Sequence, residues 1–205
     1  MWPTVEVRWF YPGQVPGQLV AWFRQVVGEP EEQLGRVDHY LRLESTEALG
    51  IKMREGRIEI KQRQQRLGLV RFQVGIAGQV EAWRKWSFGL AWAGAFAPPS
   101  SWIAVEKKRT LHRVQIGGEG LIVPLPAGSY EAVGCGLELT RIGVGGAIWW
   151  SLGLESFGPE ATLRDSLMAV AGHLFASGTV PQLEAAVSCG YPRWLQRAAG
   201  SNEPC

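Results

Sequence analysis

Apolar and polar residues alternate with a period of two along much of the chain, which predicts a protein built mainly from strands. The first strand covers Val5 to Phe10, where Val5, Val7 and Trp9 alternate with Glu6, Arg8 and Phe10. Pro12, Gly13, Pro16 and Gly17 make a turn, after which Leu19, Val20, Trp22, Phe23 and Val26 recur at helical spacing up to Gly28. The polar stretch GEPEEQLG then leads to a second strand from Val37 to Leu43, containing Asp38 and Tyr40. The segment ALGIKMREGRIEIKQR predicts a hairpin that turns at Glu55 and Gly56. Ile51 and Met53 lie on one face of it and Lys52 and Arg54 on the other, and on the return Ile58 and Ile60 alternate with Glu59 and Lys61, with Arg63 beyond.

Downstream, LVRFQVGI and QVEAWRKWSFGLAWAG each read as one strand, although VEAWRKW also fits a helical turn. WIAVEKKRTLHRVQI is a further strand, closed off by Pro124, Pro126 and Gly128, and GLELTRIG and AIWWSLGLESFG are the last two. From Pro159 to Phe175, Leu163, Leu167, Val170, Ala171 and Leu174 share one helical face, and Pro159 suits a first turn. The tail, GYPRWLQRAAGSNEPC, predicts only a short helical turn.

A length of 205 residues fits one domain with a sizeable core, and no apolar run is long enough for a membrane span. The N-terminus enters strand-like alternation without a basic region followed by an apolar stretch, which points to the cytoplasm. A net charge of +2 is too small for general electrostatic attraction to a nucleic acid duplex, so any role for charge is local. Cys135, Cys189 and Cys205 are widely spaced, without the pattern of a disulfide framework or a structural zinc site. The high tryptophan count suits aromatic cladding of a sheet, with a base-stacking surface as the less favoured reading. His39, His112 and His173 fall on different elements without ligand spacing, and GVGG at 143–146 is a turn before a strand, not a phosphate-binding loop.

The informative feature is the density of full charges on the polar faces. Glu6 and Arg8, Lys52 and Arg54, Glu59, Lys61 and Arg63, Lys107 and Arg109, Glu138, and Glu155 sit on separate strands. A sheet rolled into a barrel gathers such rows in one lumen, where Arg and Lys donate to phosphate oxygens and carboxylates hold a divalent metal. The same spacing arises from solvated strand faces with opposite charges paired across strands, each pair contributing about 0.2–1 kcal/mol.

The order of these strands along the chain resembles the CYTH family, the triphosphate tunnel metalloenzymes. EVRWF, DHYL and the hairpin LGIKMREGRIEIKQR are similar to its opening strands and basic hairpin. VEKKR resembles its internal basic strand, LELTRIG its acidic strand, and IWWSLGLESFG its late strand ending in Glu. The resemblance implies an α+β fold, an antiparallel eight-stranded tunnel-like β-barrel with flanking helices. It also implies one domain over 1–205, whose C-terminal helical segment, about 159–198, packs on the barrel. The phosphate-facing set it implies is Arg8, Lys52, Arg54, Lys61, Arg63, Lys107, Arg109 and Arg141, with Glu6, Glu138 and Glu155 as ligands of Mg²⁺ or Mn²⁺. The family signature E-x-E-x-K falls on Thr4, Glu6 and Arg8, and its late E-x-E pair on Gly153 and Glu155, so two of the expected carboxylates are replaced. Two functions follow as expectations. One is a tunnel that binds a phosphate-rich small molecule, with metal-dependent triphosphate hydrolysis open to it. The other is an inactive scaffold that binds a protein partner through a tryptophan-rich exterior. Anion binding ranks above turnover, because half of the expected metal ligands are missing.

Overall fold

The computed structural model describes residues 1–27, 31–89, 99–117, 121–125, 133–177 and 180–200. Its elements run β1 (Trp2–Pro12), α1 (Gly17–Val27), β2 (Glu31–Leu41), β3 (Leu49–Arg54), β4 (Arg57–Gln73), β5 (Ile76–Gly89), β6 (Trp102–Ile116), β7 (Ile122–Pro124), β8 (Gly134–Val144), β9 (Ala147–Phe157), α2 (Leu163–Ala176) and α3 (Tyr191–Gly200). The strands pair in the order β2-β3-β4-β5-β1-β9-β8-β6, and β2 pairs back on β6, so eight antiparallel strands form a closed barrel with β7 added beside β6. The fold is the α+β barrel with flanking helices expected from the sequence. Among the described residues no helix is long and apolar enough to cross a membrane.

Local chemistry accounts for the tight corners. Glu55 and Gly56 both have positive φ, 49° and 70°, as do Gly145 and Gly146, at 56° and 80°. Two consecutive residues of this kind form the two-residue turn whose twist matches that of the flanking strands, giving the β3–β4 and β8–β9 hairpins. Several elements extend beyond the sequence-based expectation. LVRFQVGI is not a separate strand: Leu69–Gln73 ends β4 and Ile76 begins β5. Residues 31–35, within the stretch expected to be a loop, belong to β2, and Ile122–Pro124 forms the short β7. The WRKW segment is strand, and the tail holds a helix of ten residues. The last residues of QVEAWRKWSFGLAWAG, together with Pro126, Gly128 and Cys205, lie outside the described residues.

The larger of two apolar clusters lies outside the barrel wall. Val5, Val7 and Trp9 of β1, Leu137 and Leu139 of β8, and Leu152 and Leu154 of β9 point away from the lumen. They pack with Leu19, Trp22 and Phe23 of α1 and with Leu163, Leu167, Val170, Leu174 and Phe175 of α2. The β4–β5 hairpin bends at bulges near Gly68, whose φ of 99° favours glycine, and carries Phe72 against Trp9 and Phe175. Among the described tryptophans only Trp2 is exposed, and Trp9, Trp22, Trp83, Trp150 and Trp194 are buried. The expected tryptophan-rich exterior is therefore absent among those residues, because Trp9, Trp22 and Trp150 pack in the core beneath the helices, while Trp83 faces the lumen and Trp194 fills its capped end.

Beyond Val7 the strands β1 and β5 part, and the chain after α2 fills the gap. The Ser188 hydroxyl donates to the Arg8 carbonyl at 3.0 Å and accepts the Gln79 amide at 2.8 Å, while the Cys189 amide donates to the same carbonyl at 3.1 Å. Gly190 follows, so close to the lumen wall that a Cβ there would lie 2.6 Å from both the Glu81 carboxylate and the Trp83 ring. This close approach lets α3 enter one end of the barrel. Trp194 stacks on Phe10 at 4.7 Å, and Tyr191 stacks on Tyr40 at 4.9 Å. Gly190→Ala is expected to displace α3 and lower stability by about 1–3 kcal/mol in urea unfolding, with faster amide exchange over residues 187–197. Unchanged exchange there would show that α3 does not depend on this contact.

A candidate anion-binding lumen

Registers across the closed sheet decide which side chains share the interior. Glu6 lies opposite Glu155 and Glu81, and Arg8 opposite Gly153. Lys52 lies opposite Glu59 and Tyr40, Lys61 opposite Lys85, and Arg109 opposite Thr140. Directly opposed residues in an antiparallel pair project from the same face, so all these side chains point into the barrel. Two connected cavities result. The inner one, about 150 Å³, is capped by Tyr191 and Pro192 and lined by eight cations: Arg8, Arg36, Lys52, Arg54, Lys61, Lys85, Lys107 and Arg109. Its carboxylates are Glu6, Glu59, Glu138 and Glu155. The outer one, about 710 Å³, shares Arg8, Arg54, Lys85, Arg109, Glu138 and Glu155 with it and adds Arg57 and Arg113 toward the exposed Trp2.

Every interior carboxylate in the inner cavity touches a cation. Glu138 accepts from Arg8 and Arg109, both at 2.7 Å, and from the Thr140 hydroxyl at 3.0 Å. Glu59 sits between Lys52 at 2.9 Å, Arg54 at 3.1 Å and Lys85 at 3.3 Å. The Lys61 ammonium bridges Glu6 at 2.5 Å and Glu155 at 3.1 Å, 5.7 Å from the centre of the Trp83 ring. Deeper in, the fully buried Asp38 pairs with Lys107 at 3.1 Å, Arg36 at 3.1 Å and Lys52 at 3.5 Å. Lys107 donates to the Tyr40 hydroxyl at 2.6 Å and lies 4.0 Å from the centre of the Tyr191 ring.

These contacts set the protonation states. Burial alone would raise the pKa of Glu59, but Lys52, Lys85 and Arg54 outweigh it and bring it down to about 2. Burial works the same way against Asp38 and Glu138, and their cations hold both well below the usual carboxylate range. Lys107 shifts the other way: burial and then repulsion from Lys52 pull it well below the ordinary lysine value, with Asp38 and Glu138 only partly offsetting them. Burial likewise lowers Lys52. Negative charge is thus in short supply around Lys52 and Lys107, whereas at Lys61 the carboxylates Glu155 and Glu6 outweigh burial and raise the pKa.

Of the residues singled out in the sequence, Arg8, Lys52, Arg54, Lys61, Lys107, Arg109, Glu6, Glu138 and Glu155 come together in the lumen. Arg63 projects to the same face but is tied to Glu81 at 2.8 Å and lines neither cavity. Arg141 does not belong to the set. It lies opposite Lys108 and Trp150 on the outer face and is exposed beside α1, because Thr140 and Ile142 take the inward positions of β8. The expected metal ligands do not form a coordination shell either. No group of three His, Cys, Asp or Glu side chains among the described residues could hold a metal ion. Glu138 is enclosed by two guanidinium groups, and Glu6 and Glu155 converge on an ammonium. A Cβ at Gly153 would lie 2.7 Å from the Arg8 guanidinium carbon, so Arg8 fills the space that a carboxylate there would need.

Arg36, Asp38, Lys85, Arg113 and Tyr191 are lumen residues that the sequence did not single out. Asp38 and Tyr40 carried a signal, since they alternate with Val37 and His39, and so did Lys85, which continues the inward row through Trp83. Tyr191 carried none, because a tertiary insertion places it. No protein-family model and no curated protein sequence matches this chain.

The folded pKa of Glu59, about 2, lies below its ordinary 4.5. Its contribution to stability is therefore complete above pH 4.5 and is lost as pH falls toward 2. Glu59→Gln is expected to cost about 2–4 kcal/mol at pH 7 and to flatten the fall of Tm between pH 4.5 and 2. A variant Tm profile parallel to that of the wild type over this window would contradict the assignment.

Proposed function

We propose that this chain is a divergent CYTH-like tunnel protein that binds a phosphate-rich anion, such as tripolyphosphate or a nucleoside triphosphate, in the barrel lumen. The supporting observation is the inward convergence of cations from β1, β2, β3, β4, β5 and β6 on a cavity capped by α3 at one end. Those cations outnumber the carboxylates among them, and burial holds Lys52 and Lys107 below their ordinary pKa. An anion entering such a site meets donors already oriented and desolvated, so little reorganisation opposes binding. Arg8, Arg54 and Arg109 supply planar guanidinium groups for paired phosphate oxygens, and Lys52, Lys61, Lys85 and Lys107 supply point charges.

Binding is favoured over hydrolysis, because the carboxylates organise cations in place of forming a metal shell. The alternative of a scaffold that serves a protein partner loses its expected tryptophan surface among the described residues.

A native-state ligand at free concentration L raises stability by RT ln(1 + L/Kd), so Tm climbs with the logarithm of its excess over Kd. Tripolyphosphate is expected to raise the Tm of the wild-type protein, with an effect that shrinks as salt rises. Arg54→Ala should weaken binding by about tenfold or more in calorimetry, the scale of one charge-assisted contact of roughly 1.5–3 kcal/mol. Absence of any tripolyphosphate-dependent shift at low salt would remove the proposal.

A further inference from the structure

We infer that the Lys61 ammonium is the resident cation of this lumen, standing where a divalent metal would have to bridge Glu6 and Glu155, so that the site takes its phosphate-rich ligand in metal-free form. This rests on the anion-binding reading above. Glu6 and Glu155 lie opposite each other on adjacent strands, the natural arrangement for two carboxylates that share one cation. The point they share is taken, since Lys61 Nζ lies 2.5 Å from one and 3.1 Å from the other. The remaining lumen carboxylates offer no second position. Glu138 is held by Arg8 and Arg109, and Glu59 by Lys52, Arg54 and Lys85.

Two physical terms oppose a metal there. A hard dication needs oxygen ligands at about 2.0–2.6 Å, so Lys61 would have to leave both carboxylates. The expelled ammonium and the dication would then share a semi-enclosed space with Arg8, whose guanidinium already fills the volume over Gly153. Like charges at such separations repel strongly where water is scarce. A protein-borne ammonium avoids this. It is fixed by the fold and keeps at most three donors, of which two go to the carboxylates, leaving one for a phosphate oxygen. Mg²⁺ in solution then acts as a competitor, because it removes free tripolyphosphate by complexing it.

Calorimetric titration of tripolyphosphate into wild-type protein, with EDTA and with Mg²⁺ in excess over the ligand, tests this directly. Binding in EDTA that weakens at least threefold in Mg²⁺ is the expected result. Binding that requires Mg²⁺ would overturn the inference and leave the tunnel reading intact, whereas no binding in either buffer would overturn both. Mn²⁺ titration followed by electron paramagnetic resonance gives an independent readout without the anion. The wild-type protein is expected to bind no Mn²⁺ below about 1 mM, and Lys61→Ala and Lys61→Gln are expected to bind one ion. One tightly bound Mn²⁺ in the wild type, or a folded Lys61→Gln protein that still ignores the ion, would show that Lys61 does not hold the metal's place.

Discussion

The pairing of β2 with β6 is the constraint on which the rest of the structure depends. Without it the sheet would be an open antiparallel layer, with one face on the helices and the other in water. Closure turns the watered face inward, where its charges see mainly one another. Solvent can no longer screen them well, so a buried carboxylate without a cation would carry a large desolvation cost. The ion pairs of Glu138, Glu59, Glu6 and Asp38 follow from that enclosure more than from any individual sequence preference.

Enclosure also inverts the usual division between inside and outside. The apolar positions of β1, β8 and β9 face away from the barrel axis, toward α1 and α2, and the polar positions form the interior. The helices therefore do two jobs: they bury the outer face of the wall and, through α3, they cap one end of the lumen with Tyr191 and Trp194. The cap brings aromatic rings against Lys107 and leaves the wider cavity, with Arg57 and Arg113 in its lining, as the broader space. Within the lumen the carboxylates fix the rotamers of long cationic side chains that would otherwise sample many conformations. An anion entering from the wide end would find a preorganised set of donors.

Much of this was legible along the chain. The period-two alternation of Glu6 and Arg8, of Lys52 and Arg54, and of Glu59 and Lys61 fixed which side chains share a face, and the paired positive-φ residues Glu55 and Gly56 fixed the hairpin register. Arg141 shows where the resemblance misled and parity did not: three residues on from Glu138, it falls on the opposite, outer face of β8. Tyr191 and Lys85 show a different limit, since one reaches the lumen only by the docking of α3 and the other lies in a segment whose period was ambiguous.

The sequence by itself determined most of the strands, their two faces and the identity of most charges on the polar face, because side-chain direction in a strand is set by residue parity. It could not say whether that face met water or itself, since both arrangements have the same alternation. Tertiary structure decided this through the β2–β6 closure, and with it which cation meets which carboxylate. Those meetings join residues far apart in the chain, such as Lys61 with Glu155, and their distances depend on strand order and register, which no local pattern encodes.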